Sequence, residues 1–323
     1  MILLLVMLTG SMISCDFFSK PQNGNLVITL YCQSIQDSLT ERTISLEQWV
    51  IDNQVELASL IYIEGLGPEY YIGDENGRII ISDVPPGTYT VHPVFMSTEH
   101  DITVQVVDEK TTARTIIIPD ILIQGYLVHT GFMDANFRKA LSVGIKREDI
   151  LTTLEWDYQP VYTALPTMFY QDGMYTNTGV VENAEAATTL FGATTAQNFT
   201  LKHNTSEAHA SLASQIISQW GDYDAVGTIT TSVTDWEIFT NEVYELHDYE
   251  VARFGWVFDS NNPLVFLRQI FDRTEYTSDA YSALVAEVEE IQSDMDAEAF
   301  LSYIDEFHTM ILDEGLFIPI YEN

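Results

Sequence analysis

The stretch RFGWVFDSNNP, residues 253–263, changes character halfway along its length. Its first half, RFGWVF, continues a strand-like apolar run, whereas DSNN is polar and is followed by a proline and a segment of helical pattern. Asp259 therefore has two interpretations: it caps the following helix, or it is a carboxylate held for a ligand. Trp256 likewise suits either a core or a ligand platform. The rest of the chain must decide between these alternatives.

Helical and strand-like segments alternate after Pro119, which is typical of an α/β or α+β layer structure. In TSEAHASLASQIISQW, Thr205 is the expected N-cap, and Leu212, Ile216 and Trp220 repeat along one helical face. Further helices are expected at residues 134–145, 279–293 and 296–314. The expected strands are NFTLKHN, GTITTSV, YEVARFGW and LFIPIY.

The chain before Pro119 has a different pattern, in which short strands alternate with turn residues such as Asn76-Gly77 and Pro85-Pro86-Gly87. The expected strands are NLVITLYC, ERTISLEQWVI, ELASLIYIEGL, GRIIISDV, GTYTVHPVF, HDITVQVV and ARTIIIP. Their spacing predicts an all-β sandwich over residues 26–119. The strand, Pro-Gly turn and Tyr-containing strand resemble the transthyretin-like or carboxypeptidase-regulatory-like sandwiches of bacterial surface proteins, which are mostly spacers or adhesion modules.

An apolar run opens the chain and is too short to span a bilayer. Residues 1–14 have the pattern of a secretory signal peptide, and the end of this segment resembles a bacterial lipobox in which Cys15 is lipidated. We expect a membrane-anchored lipoprotein in the periplasm or on the cell surface, with residues 15–25 as a linker. The other cysteine, Cys32, is expected to be a buried strand residue, so no intramolecular disulfide is expected.

The charge of the chain is strongly negative, with 48 Asp and Glu against 13 Lys and Arg in 323 residues and a formal net charge of -35. Such a surface repels phosphates, which disfavours nucleic acids and anionic lipid headgroups as partners. Two interpretations of the charge stay open: solubility in a salty habitat, and steering of cationic ligands.

Enzyme motifs are absent from the sequence: it contains no HExxH, no GxSxG, no phosphate loop and no GxGxxG after a strand. His203, Glu207 and His209 are close in sequence, but they straddle an expected strand-to-helix junction, so no metal site is expected. The sequence therefore indicates a protein that is not an enzyme and needs no cofactor.

The second block resembles the C-terminal part of the oligopeptide-binding proteins of bacterial ABC importers, the solute-binding protein family 5. Five motifs occur in the family's order: MDANFRKALSVGIKREDIL, LKHNTSEAHASLASQIISQW, VTDWEIF, RFGWVFDSNNPLVFL and FIPIY. The resemblance covers residues 120–323 and implies a single lobe of the periplasmic-binding-protein-like type II fold. The chain is thus expected to be multidomain, with an N-terminal all-β sandwich followed by an α/β (α+β) lobe.

The resemblance also implies a set of peptide-binding residues. Asp259 would pair with the α-ammonium group of a bound peptide, and Trp256 would line the cleft. Arg253 and His209 would meet the ligand's C-terminal carboxylate. The strand around Gly255 would pair with the peptide backbone by β-augmentation.

Two functions follow as hypotheses. The first is a non-catalytic lipoprotein whose lobe binds peptide, with an ABC permease or a second lobe in trans as partner. The second is a structural or adhesive cell-envelope lipoprotein in which the lobe is a retained scaffold without ligand. Exposure of Asp259, Trp256 and Arg253 on one concave surface would favour the first, and burial of these residues would favour the second.

Overall fold

The computed structural model shows two units along the chain, each built around its own sheets. The structure describes residues 22–46, 48, 59–67, 70–74, 77–94, 96, 98–169, 179–258, 263–291 and 297–323. The expected signal peptide, Cys15 and Asn76 lie outside the described residues.

The first unit consists of seven strands and one helix within its described residues. Its elements are β1 Gly24–Cys32, α1 Gln33–Arg42, β2 Leu60–Glu64, β3 Tyr70–Ile72, β4 Arg78–Val84, β5 Gly87–Pro93, β6 Ile102–Val106 and β7 Thr111–Ile118, with a 3-10 turn at Thr98–His100. The strands form a three-stranded sheet, β4-β1-β7, and a four-stranded sheet, β3-β2-β5-β6.

Alternating apolar residues join these two sheets. Leu26, Ile28 and Leu30 of β1 and Ile61 and Ile63 of β2 all belong to one buried cluster. Because residues two apart on a strand point to the same face, each sheet presents a continuous apolar surface to the other. The two sheets therefore share one core.

Residues Glu41 and Arg42 correct one expectation, since they end helix α1 where ERTISLEQWVI was expected to begin a strand. The helix forms because Ile35 and Leu39, one turn apart, both pack on the core of this unit. Cys32, the last residue of β1, is buried as expected, and burial raises the pKa of its thiol to about 11.

The second unit is a six-stranded mixed sheet with helices on both faces. Its strands are β8 Leu122–Val128, β9 Gln159–Pro160, β10 Gln197–Asn204, β11 Val226–Thr234, β12 Val251–Val257 and β13 Phe317–Glu322, in the order β11-β10-β12-β8-β13-β9. Its helices are α2 Ala135–Val143, α3 Arg147–Leu154, α4 Ala184–Gly192, α5 Glu207–Trp220, α6 Trp236–Thr240, α7 Pro263–Arg273, α8 Asp279–Ile291 and α9 Ala297–Asp313, with a π-helical turn at Asn241–Glu245 after α6.

The side chains of the central strands alternate between two apolar clusters. One cluster contains Val251 and packs against α2 to α5, whereas the other contains Ala252 and Phe254 and packs against α7 to α9. Strands buried on both faces in this way hold the sheet as the rigid centre of the unit.

Helix α5 begins one residue later than expected. Ser206, not Thr205, is its N-cap, and the Ser206 hydroxyl accepts a hydrogen bond from the backbone N–H of His209. The hydroxyl of Thr205 instead donates to the backbone oxygen of Thr234 at the end of β11. The apolar face of the helix is as expected, since Leu212, Ile216 and Trp220 are buried.

The two units pack against each other. Leu60 and Val94 of the first unit lie in the same cluster as α7 to α9, and the rings of Tyr70 and Phe300 meet edge to face with centroids 6.3 Å apart. The four-stranded sheet thus contacts its own core on one face and the second unit on the other. Among the described residues, no helix is both long and apolar enough to cross a lipid bilayer.

Candidate functional site

Strand β12 has an open backbone edge at the centre of the second unit. It runs parallel to β10 and β11, so the carboxyl ends of all three strands lie toward the same edge of the sheet. Its pairing with β10 consists of Leu201 opposite Val251 and Lys202 opposite Ala252, whereas its pairing with β8 continues to Val257. From Arg253 onward, no pairing between β12 and β10 occurs among the described residues, so this side of the β12 backbone is an open edge.

Arg253 stands where this open edge begins. The residue is 7% exposed, and its guanidinium lies over Gly255, where an added Cβ would come within 2.7 Å of Nη2. Its Nε is buried and has no hydrogen-bond partner in the described part of the chain, which also shows no ion pair to this side chain. Burial lowers the pKa of Arg253, and the nearby tyrosines Tyr244, Tyr321 and Tyr126 oppose that shift.

Two neighbours on β8 share this lack of partners. Gln124 and Tyr126 pair with Gly255 and Arg253, respectively, across the β8–β12 ladder. The Gln124 Oε1 and the Tyr126 hydroxyl are both buried without a hydrogen-bond partner in the residues described. Burial raises the pKa of Tyr126, so the phenol is neutral. Since an unpaired buried polar group costs about 1–3 kcal/mol, several of them together indicate a site that a polar ligand completes.

His209 contributes from the first turn of α5. Its Nδ1 is buried and has no partner among the described residues. Burial first, then the charge of Arg253 and the nearby His203, lower the pKa of His209 to about 4. The imidazole is therefore neutral at pH 7, and a second donor to a carboxylate would require proton uptake. Asn204 and Thr234, at the ends of β10 and β11, carry further buried side-chain oxygens without partners in the described chain.

Trp256 does not share a surface with Arg253. It lies beside Phe254 and Phe266, with ring centroids 6.1 and 5.5 Å away, and it packs against the α7 to α9 cluster. Residues three apart on a strand point to opposite faces, so the spacing of Arg253 and Trp256 already separates them. The condition named above in favour of peptide binding, one concave surface that carries both residues, is thus not met for Arg253 and Trp256.

Other expected site residues have mixed outcomes. Gly255 and His209 are near Arg253, as the geometry and the electrostatics above show. Asp259 lies outside the described residues. Within the described ranges, no group of three or more His, Cys, Asp or Glu residues could hold a metal ion. Gln124 and Tyr126 were not predicted as site residues, although two polar residues at alternate positions of the apolar strand LIQGYLV are a signal.

A family model matches residues 75–278, and its description is bacterial extracellular solute-binding proteins, family 5 Middle. The match covers more than half of the 323 residues, and the chain belongs to this family. Membership of the family inferred from the motifs is therefore confirmed, whereas the matched range begins before the expected residue 120 and ends before the motif FIPIY. The matched range begins within the first unit, before β4, and ends after α7. Family membership also agrees with the expectation that the chain is not an enzyme.

Two relatives and one solved structure show the range of similarity. The chain is similar to the oligopeptide-binding protein OppA of Bacillus subtilis strain 168, at 25% identity over 158 residues that cover 45% of this chain and 29% of the relative. It is similar to the periplasmic oligopeptide-binding protein OppA of Salmonella typhimurium strain LT2, at 23% identity over 206 residues that cover 59% of this chain and 37% of the relative. The chain spans about a third of the length of these relatives.

The fold is similar to that of Haemophilus influenzae OppA, solved in complex with RPPGFSPFR. The TM-score is 0.55 at 20% identity, and the match covers 63% of this chain and 43% of that chain. The mixed α/β architecture of the second unit is thus that of the periplasmic binding proteins.

Proposed function

We propose that the second unit binds peptides along the open edge of β12. An extended ligand added beside Arg253 to Val257 would continue the sheet through main-chain hydrogen bonds, which do not depend on the ligand's side chains. The similar proteins of Bacillus subtilis and Salmonella typhimurium are named as oligopeptide-binding proteins, which supports this ligand class.

Arg253 would bind the C-terminal carboxylate of the peptide. The buried guanidinium without an acceptor in the described residues is the observation that carries the proposal, because a buried charge without a partner is strongly unfavourable. A carboxylate accepts two parallel hydrogen bonds from a guanidinium, and its negative charge would offset the cost of burial. His209 would add a donor from the start of α5.

Asp259 would bind the α-ammonium group at the other end of the ligand. It follows Phe258 and β12 directly in the sequence, so an extended peptide lying along the strand would pass from Arg253 toward Asp259. Such a site would hold both charged ends of a short peptide and tolerate different side chains between them.

Calorimetry with tri- to pentapeptides tests this function. The full chain is expected to bind such peptides, and Arg253→Gln and Asp259→Ala are each expected to weaken binding by about tenfold or more. A peptide with a C-terminal amide is the matched control: it should bind more weakly to the wild type, and Arg253→Gln should then have little further effect. Absence of binding, or equal affinities for all three proteins, would contradict the proposal.

The setting of this lobe is also part of the proposal. We propose an extracytoplasmic lipoprotein anchored through Cys15, in the periplasm or on the cell surface, with an ABC permease or a second lobe in trans as partner. The family's extracellular, solute-binding description supports this location. The first unit would act as a β-sandwich spacer, and its two sheets around one core support the sandwich part of this proposal.

A second candidate function is a structural or adhesive envelope protein in which the lobe is a scaffold. The observation in its favour is that Trp256 packs into the α7 to α9 core and does not share a surface with Arg253. Absence of binding between the wild-type chain and all tested peptides would favour this alternative.

A further inference from the structure

Arg273, the last residue of α7, is a second guanidinium close to β12. Its Cζ lies 4.2 Å from the ring centroid of Tyr244, 5.2 Å from that of Phe254 and 5.7 Å from that of Trp256. Its Nη2 donates to Gln269 Oε1 at 2.7 Å. In the part of the chain that the structure describes, no carboxylate forms an ion pair with it.

The two arginines lie on opposite faces of the same strand. Arg253 points to the face that carries Val251 and Tyr126, whereas Arg273 stacks over Phe254 and Trp256, which belong to the other face. Burial raises the pKa of Tyr244, and the charges of both guanidinium groups oppose that shift, so Tyr244 is a neighbour that the two arginines share.

The negative charge of the whole molecule makes two arginines without ion-pair partners unusual. Carboxylates outnumber basic side chains by 48 to 13, yet neither Arg253 nor Arg273 has one as an ion-pair partner among the described residues. The described ion pairs of Arg138, Arg147 and Lys202 show that other buried cations do have such partners. Burial lowers the pKa of Arg273, and Tyr244, Tyr249, Asp272 and Glu245 oppose that shift, but neither carboxylate forms an ion pair with it. One arginine at the start of the open edge and another on the opposite face of the same strand would form a local anion site in an acidic protein.

We propose that Arg253 and Arg273 together select peptides that carry an acidic side chain, with one ligand carboxylate bound on each face of β12. Consecutive groups of an extended peptide point to alternate faces of the sheet that it joins. A peptide whose C-terminal carboxylate binds Arg253 therefore directs a neighbouring side chain toward Arg273. This inference rests on the proposed peptide binding and specifies its ligand class.

Calorimetry of the full chain with three pairs of tripeptides tests the inference. The two peptides of a pair differ at one position, which is Glu in one peptide and Gln in the other, and both have Ala at the other two positions. The three pairs place this difference at the first, second and third position, so that the members of each pair differ by one charge. At one position the Glu peptide is expected to bind the wild type about tenfold more tightly than the Gln peptide. In Arg273→Gln this ratio should approach one, while the affinity for the Gln peptide stays within about twofold.

Two further variants distinguish recognition of the ligand carboxylate by Arg273 from a general loss of positive charge and from a loss of packing. Arg114→Gln removes one positive charge from an exposed position on β7 and should keep the wild-type ratio. Arg273→Lys keeps the charge and should retain a preference for the Glu peptide even if the stacking on Tyr244 loosens. Both proteins are compared with the wild type by circular dichroism before titration.

The outcomes distinguish this inference from the proposed function. If the Gln peptides bind through Arg253 and the wild type shows a ratio near one at all three positions, the acidic selectivity is wrong and peptide binding stands. The selectivity is equally wrong if Arg273→Gln leaves the ratio unchanged. If neither member of any pair binds the wild type, both the selectivity and the peptide binding are overturned.

Discussion

At the scale of single residues, Gly255 makes the position of Arg253 possible. A Cβ at position 255 would come within 2.7 Å of Arg253 Nη2 and closer still to Gln124 Nε2. Side chains of β12 and β8 therefore crowd over one glycine whose hydrogen leaves room for them. The guanidinium lies over position 255 because this position lacks a side chain.

Gly255→Ala is expected to weaken peptide binding by about tenfold, because the displaced guanidinium no longer meets the ligand carboxylate. Calorimetry gives the affinity, and a thermal melt reports any loss of folded protein. Gly192→Ala is the matched control, since an added Cβ there meets no atom within 4 Å. An unchanged affinity for Gly255→Ala would contradict the role assigned to this cluster.

His209 is expected to make peptide binding dependent on pH. Its pKa is lowered to about 4 in the free chain, so the imidazole carries no charge at pH 7. A bound carboxylate favours the imidazolium and raises this pKa, and binding therefore takes up a proton. Affinity should increase as the pH falls from about 6.5 to about 5.

Calorimetry in two buffers of different ionisation enthalpy measures that proton uptake directly. His209→Gln should bind with an affinity that is nearly independent of pH over the same range. Equal pH dependence in the wild type and in His209→Gln would show that another group takes up the proton.

At the scale of the elements, Arg147 joins α3 to β13. The residue is fully buried, and its Nε donates to the backbone oxygen of Pro319 at 2.6 Å. Its Nη2 donates to the backbone oxygen of Ser142 at 3.3 Å, and its Nη1 lies 3.4 Å from Glu182 Oε1. This basic position of the first family motif is thus structural, and it fixes the helices of one face to the sheet.

Arg147→Met is expected to lower the free energy of unfolding by about 3 kcal/mol, because the carboxylate of Glu182 and the oxygen of Pro319 lose their buried partner. Urea unfolding at constant pH measures the change. Lys146→Met is the control from the adjacent residue: Lys146 is exposed, its Nζ is 3.9 Å from Asp149, and the expected change is within about 0.5 kcal/mol. A similar loss in both variants would exclude a special role for Arg147.

At the scale of the whole molecule, the net charge of -35 opposes the compact state. Because added salt screens charges that are more than about 10 Å apart at 0.1 M, self-repulsion should weaken as salt increases. The melting temperature is expected to rise between about 20 and 500 mM NaCl. Equal concentrations of KCl should give the same rise, and a falling melting temperature would contradict the expectation.

The packing of the two units against each other also acts at the scale of the whole molecule. Leu60 and Val94 contribute to the apolar cluster that holds α7 to α9, and Tyr70 contacts Phe300. The first unit is therefore part of the support for the helices behind Trp256 and Arg273. The two units are therefore not structurally independent of each other.

Local pattern in the sequence determined most of the elements, the family and three residues of the candidate site. Apolar spacing predicted the buried face of α5, and strand alternation predicted β1 and β12. Motif order predicted the family, and the same motifs named Arg253, His209 and Gly255. These features depend on residues within a few positions of one another, so one sequence is sufficient to see them.

Only the tertiary structure decided what surrounds those residues. Gln124, Tyr126 and Tyr321 reach Arg253 from strands far along the chain, and Arg273 arrives from a helix that folds back behind β12. Strand pairing between distant segments sets these contacts, and no local periodicity encodes which strands become neighbours. Burial without acceptors, on which the proposed role of Arg253 rests, likewise exists only once the sheet and its helices have packed together.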